Sequence, residues 1–318
     1  MKKPDEIEII KIFQNCFGKK SSFVANDLEV LKMSGKKFVV KSDMLVQSTD
    51  TPPGMKLHNI SRKSIVSCVS DFACKGIRPR YATISLALPK GITRQEVNNL
   101  ASGFTAASEE FRIKIVGGDV NQGKEIVIDV SMFGMGNDVI GRGHAKNGDI
   151  IITSGPFGYA SSGLEILLHN RIGETRFIKK CKKNVFLPTP RLKFGLEAAK
   201  YFSSSMDSSD GLSITLNDMC VQSKKKFVIT KLPMENDVKE FARKNRIRLA
   251  DLVFCGGEEY EIVATVPPKN LRAVRKLVRK FEIPYYEIGH VTRGKNVVLV
   301  DKEREITVKR CGWVHLKS

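Results

Sequence analysis

Strand-like and helix-like segments alternate along the whole chain, and this alternation predicts an α/β fold. Two further observations predict two domains. The 318 residues suffice for two cores of ordinary size. A stretch rich in glycine and polar residues, Gly134 to Gly148, interrupts the pattern and reads as a hinge. The expected division is an N-terminal domain at 1–137 and a C-terminal domain at 138–318.

The N-terminus mixes acids and bases, lacks the apolar stretch of a signal peptide and reads as a first helix. Lys36 to Lys41 is a short strand expected to end at Ser42-Asp43. Ile60 to Lys75 is a helix with Ile65, Val66 and Val69 on one face, and Gly76 suits the position just past its end. Arg80 to Leu88 is a strand closed by Pro89. Thr93 and Glu96 form a capping box that opens a helix to Phe111. Lys114 to Val116 is a strand running into Gly117-Gly118-Asp119, and Glu125 to Phe133 alternates as a half-buried strand does. After the hinge come a strand at Asp149 to Thr153, a helix containing Leu164, Ile166 and Leu167, a helix at Arg191 to Tyr201, and a strand at Tyr260 to Val266. The second half thus echoes the first, with strands next to glycine-rich turns that carry acids.

The 42% hydrophobic and 27% charged residues are ordinary for a globular protein. No apolar run approaches the length of about 18 residues that a membrane span needs. The seven cysteines are odd in number and form no CxxC, which argues against a zinc site and a disulfide framework; buried free thiols in a reducing cytoplasm are expected. The formal charge of +19 is the unusual bulk feature. Its basic residues are spread along the chain without a nucleic-acid module, so a nucleic-acid-binding role ranks last.

Gly118 to Lys124 has the spacing of a phosphate-binding P-loop, but Glu125 stands where Ser or Thr is required and a strand pattern follows where a helix must. That reading is rejected. What remains is a set of aspartates in turn contexts: Asn26-Asp27, Ser42-Asp43, Ser70-Asp71, Gly118-Asp119 and Asp207-Ser208-Ser209-Asp210-Gly211. Each alone is an ordinary turn or cap residue. Convergence of the set would demand cations, because two carboxylates about 5 Å apart repel by roughly 3 kcal/mol at an effective dielectric of about 20. Oxygen-only ligands favour magnesium shared with substrate phosphates.

The segments KSDMLV, VSDFACKGIRP, IVGGDV, RGHAKNGDIIITSGPFG, PTPR, DSSDGL, GGEEYE and CGWVH, in this order over nearly the whole chain, resemble the thiamine-monophosphate kinases of the aminoimidazole ribonucleotide synthetase-like superfamily. The resemblance implies an N-terminal sheet-plus-helices domain that joins a second subunit in a barrel, a C-terminal α/β domain, and a cytoplasmic homodimer. It implies transfer of the γ-phosphate of ATP to thiamine monophosphate with several Mg2+ ions. Carried over by position, Asp27, Ser42, Asp43, Asp71, Asp119, Asp207 and Asp210 are the metal ligands, with Asp71, Asp119 and Asp210 catalytic. Gly118, Asp119, Arg142 and Ser209 contact nucleotide; Asp50, Glu258 and Trp313 contact thiamine phosphate. Three departures stand out: Lys41 in place of Thr, Glu259 in place of Asp, and Asp50 in place of a substrate-contacting His. The alternatives within the superfamily need a reactive cysteine. A selenophosphate synthetase needs one in a glycine-rich N-terminal segment, where Cys16 fits poorly, and the hydrogenase maturation factor needs one at the extreme C-terminus, where Cys311 is followed by seven more residues.

Overall fold

The computed structural model describes residues 3–16, 27–33, 35–136 and 138–316, so Asn26 of the first aspartate motif lies outside them. The first part contains α1 (Glu6–Cys16), β1 (Glu29–Met33), β2 (Lys36–Val46), a single turn α2 (Gln47–Asp50), α3 (Leu57–Cys74), β3 (Pro79–Pro89), α4 (Arg94–Phe111), β4 (Lys114–Gly123) and β5 (Val127–Met135). Its sheet has the order β1-β2-β5-β3-β4. The second part contains β6 (Ile150–Thr153), α5 (Tyr159–His169), α6 (Thr175–Phe186), α7 (Leu192–Ala198), β7 (Ser204–Ser208), α8 (Leu212–Ser223), β8 (Lys226–Ile229), α9 (Asn236–Asn245), β9 (Glu261–Val266), α10 (Leu271–Phe281), β10 (Tyr286–Thr292), β11 (Val297–Asp301) and β12 (Arg304–Thr307). Its sheet has the order β12-β11-β8-β10-β6-β9-β7.

Two strands run further than their sequence suggested. β2 does not stop at Ser42-Asp43 but continues to Val46, because β5 pairs with it through Met44, Leu45 and Val46. β4 likewise carries Gly117, Gly118 and Asp119 within the strand, paired with Thr83, Ile84 and Ser85 of β3. Gly118 serves this pairing, since a Cβ there would lie 1.7 Å from the Ile84 carbonyl oxygen. The strand also disposes of the P-loop spacing, because no helix follows Lys124. The capping box of α4 is present, with Glu96 accepting from the Thr93 backbone N–H at 2.8 Å and Thr93 accepting from that of Glu96 at 3.2 Å.

α3 is the spine of the molecule. It is buried along most of its length, and its apolar residues share one core with Ile128 and Val130 of β5 and with Phe194, Ile262 and Ala264 of the second part. Contact at its C-terminal end is close enough to exclude side chains: Gly76 takes φ +69°, and a Cβ on Gly195 of α7 would lie 2.0 Å from the Ala73 carbonyl oxygen. The cysteines depart from the expectation of free thiols throughout. Cys68, Cys74, Cys181 and Cys220 are buried free thiols and Cys16 is an exposed one, but Cys255 and Cys311 form a disulfide. Fifty-six residues separate that pair in sequence, so no local spacing could reveal it.

Gly195→Val is expected to destabilise the fold by about 3 kcal/mol through overpacking against α3, read as a lowered urea midpoint. An unchanged midpoint contradicts the close packing of α7 on α3.

Candidate active site

Strand alternation decides which residues of β2 reach the interior. Lys41 and Asp43 share the face that packs on α3, whereas Ser42 points the other way and donates to Asp129 at 2.9 Å. Lys63 and Asp71 on α3, and Lys75 just past its end, are all buried. The end of β7, the loop after it and the loop before β9 bring Asp207, Ser209, Asp210 and Glu258 to the same place. They lock together through the Glu258 and Tyr260 N–H groups, which donate to the Ser209 and Ser208 carbonyls at 2.6 and 3.0 Å. The resulting cavity has a volume of about 700 Å³, and Asp27, Asp43, Asp71, Asp207 and Asp210 all line it.

These acids are held by buried cations. Asp27 sits between Arg142, whose Nε lies 3.0 Å from Oδ1, and Lys75, whose Nζ lies 2.5 Å from Oδ2. Burial alone would raise the Asp27 pKa, but Lys75 and Arg142 overcome it and hold this carboxyl well below the usual range. Lys41 Nζ lies 2.8 Å from Asp71 and 3.2 Å from Asp43. Lys63 Nζ reaches Glu258 at 2.6 Å and the Asp50 carbonyl at 2.8 Å. Ser70 donates to Asp207 at 2.9 Å.

The cations do not balance the acids. Burial pushes Asp71 well up despite Lys41, with Asp207 and Asp43 adding repulsion. Asp207 is pushed up to about 6 by burial and then by Asp27. Asp210, which opens to the cleft, is pushed up to about 7 by desolvation and by Asp207. Cys74 Sγ lies within 4.8 Å of ligand atoms of Asp27 and Asp207, but burial raises its pKa and keeps it a neutral thiol. A surplus of crowded carboxylate oxygens fits hard divalent cations such as Mg2+.

The other expected site residues divide sharply. Arg142 is no solvated surface residue: it is 7% exposed and bound to Asp27. Trp313 is half exposed at the cavity, its backbone N–H donating to the Asp210 carbonyl at 3.0 Å. Asp50 lines the cavity, but its Oδ2 is engaged by the Val46 N–H at 2.7 Å. Glu259 turns away to accept the N–H groups of Gly158 and Ala160 at the start of α5, a reach that suits Glu. Ser42, Gly118 and Asp119 do not line the cavity; they lie exposed on the first sheet, with Asp119 on its edge strand. Lys63 and Lys75 were missed. The available signal was two cations on a helix whose neighbours are apolar.

Known proteins resemble this chain over nearly its whole length. The model of the AIR synthase related protein N-terminal domain matches residues 25–136, and that of the C-terminal domain matches residues 146–302. The thiamine-monophosphate kinase of Nitrosopumilus maritimus is 48% identical over the full length of both chains. The chain belongs to the thiamine-monophosphate kinase family. The Pyrococcus horikoshii member is 30% identical over 100% of this chain and 98% of its own. A solved structure of AaThiL complexed with AMPPCP and TMP superposes with a TM-score of 0.84 at 27% identity, covering 98% of this chain and 97% of that one. A chain of a solved HypE-HypF complex shares the fold, with a TM-score of 0.77 at 19% identity over 95% of this chain and 99% of that one.

The raised carboxyls predict a pH dependence. Asp207 and Asp210 titrate above their ordinary value, so their contribution to stability is present below about pH 4 and is lost as pH rises through about 6 and 7. The melting temperature of metal-free protein should therefore fall between about pH 5 and 8, and Mg2+ should restore more of it at the upper end. A metal-free melting temperature that rises over that interval contradicts the assignment.

Proposed function

We propose that this chain is an ATP-dependent thiamine-monophosphate kinase that forms thiamine diphosphate and ADP by direct phosphoryl transfer. The observation that carries this reading is the convergence of Asp27, Asp43, Asp71, Asp207 and Asp210 on one cleft between the two sheets. We assign these five as the carboxylates around which several Mg2+ ions would be held; Ser42, facing the other side of β2, is left out of the set. Bound there, Mg2+ neutralises phosphate charge and stabilises the transferring group. Asp71 and Asp210 are the catalytic carboxylates within this set.

The protein's own groups supply position. Arg142 fixes Asp27, and Ser70 fixes Asp207. Ser209, in the loop before Asp210, lines the cleft, which supports its assignment as a nucleotide contact. At the other end of the cleft Trp313 offers a ring face to the thiamine and Glu258 a carboxylate. Asp50 cannot donate to a phosphate when ionised, but Lys63 Nζ, held by its carbonyl, can. Lys63 thus supplies the donor that the absent His would have given. The attacking phosphate oxygen is already anionic, so alignment rather than a strong base carries the step.

Asp119 and Gly118 require a second copy. Met44, Tyr81, Phe133 and Met135 expose an apolar outer face on the first sheet, and a second chain packed there forms the homodimer. In that assembly Asp119 and Gly118 serve the neighbouring subunit's nucleotide and metal rather than their own. The domain boundary is placed at 137/138, and the enzyme is assigned to the cytoplasm; among the described residues no helix is long and apolar enough to cross a membrane. The hydrogenase maturation alternative loses its nucleophile, since Cys311 is disulfide-bonded.

Asp71→Asn is expected to lower kcat for thiamine diphosphate formation at least about a hundredfold while far-UV dichroism stays unchanged. Turnover at the wild-type rate in Mg2+ would remove Asp71 from the mechanism.

A further inference from the structure

The cations around the cleft have separate duties. Lys75 and Arg142 both hold Asp27, and Lys63 is anchored by Glu258 and the Asp50 carbonyl at the substrate end of the cleft. The Asp43 and Asp71 side of the cluster has one cation among the described residues, Lys41. Its placement follows from the backbone. Residues 41 and 43 share a face of β2, and that face meets α3 where Asp71 projects. The ammonium is thus close to one carboxylate from each element, at 3.2 and 2.8 Å. The lysine side chain is 23% exposed, at the inner wall of the cavity rather than out in solvent.

We propose that Lys41 is a built-in cation of the carboxylate cluster, occupying the position between Asp43 and Asp71 where a divalent ion would otherwise bind. This rests on the reading of the cluster as a divalent-ion site. A divalent ion bridging those two oxygens needs contacts of about 2.1 Å to each, which sets it against the ammonium. The two cations exclude one another by repulsion as well as by space. The chain therefore takes up one divalent ion fewer than the same cluster would with a neutral residue at position 41. Lys41 acts as a positioning residue: it draws Asp43 and Asp71 onto one ammonium and orients both before any ion or substrate arrives.

The test is a Mn2+ titration of substrate-free protein, with free Mn2+ counted by its paramagnetic resonance signal. Lys41→Met removes the charge and keeps the length; Lys41→Arg keeps the charge. The expected result is one additional Mn2+ ion per chain in the Met variant, bound at least about tenfold more tightly than any ion the wild type takes up at that place. The Arg variant should keep the wild-type count. Equal counts and affinities in wild type and the Met variant overturn the proposal while leaving the divalent site standing. Absence of Mn2+ binding in both overturns the site itself and the proposal with it. Removing the lysine leaves two carboxylates facing each other, so melting temperatures give a second reading. Mn2+ should raise that of the Met variant by more than that of the wild type, and an equal rise counts against the role. Kinase activity of the wild type is measured separately, so failure of the phosphoryl-transfer reading is distinguishable from failure here.

Discussion

Buried like charge is the constraint around which this molecule is arranged. Asp27, Asp71 and Asp207 are each no more than 5% exposed. Carboxylates that close to one another are unfavourable unless cations neutralise them or protons do. The fold answers in part with Lys41, Lys75 and Arg142; on the proposed reading, divalent cations would neutralise the remainder. A cluster that repels itself when empty and gains from bound cations is the energetic arrangement expected of the proposed phosphoryl-transfer centre.

The scaffold makes that arrangement possible. α3 supplies Lys63 and Asp71 from a single buried helix and Lys75 from the residue that ends it, β2 supplies Lys41 and Asp43, and the β7 strand and its loop supply Asp207 and Asp210. α3 packs on both sheets through one continuous core, so the two halves of the cleft are fixed relative to each other. Glycines at the contact, Gly195 against Ala73 and Gly257 against Ser209, bring backbones within a distance that any Cβ would forbid. The Cys255–Cys311 bond ties the segment carrying Trp313 to the loop carrying Glu258.

Much of this was legible. The capping box at Thr93 and Glu96, the end of α3 at Gly76 and most strands follow from local pattern. The ordered aspartate motifs pointed to the right chemistry and family. The misses share a physical origin. Strand length depends on a partner strand, so β2 and β4 ran past the glycines and aspartates that looked like turns. Side-chain direction within a strand separates neighbours, so Ser42 and Asp43 of one motif face opposite sides of the sheet. Asp119 lies outside its own cleft because its whole segment belongs to the edge strand β4 rather than to a turn. Lys63 and Lys75 looked like interruptions of an apolar face until the acids opposite them were placed. The disulfide joins segments that only the tertiary fold brings together.

Direct transfer of phosphate between two substrates bound at the converged aspartates can be followed in a single turnover. ATP labelled at its γ-phosphate is mixed with the enzyme, thiamine monophosphate and Mg2+. The label should appear in thiamine diphosphate, in step with ADP, and only when a divalent cation is present. Label released as inorganic phosphate, or found in thiamine diphosphate without a divalent cation, would refute direct transfer at this metal-dependent cluster.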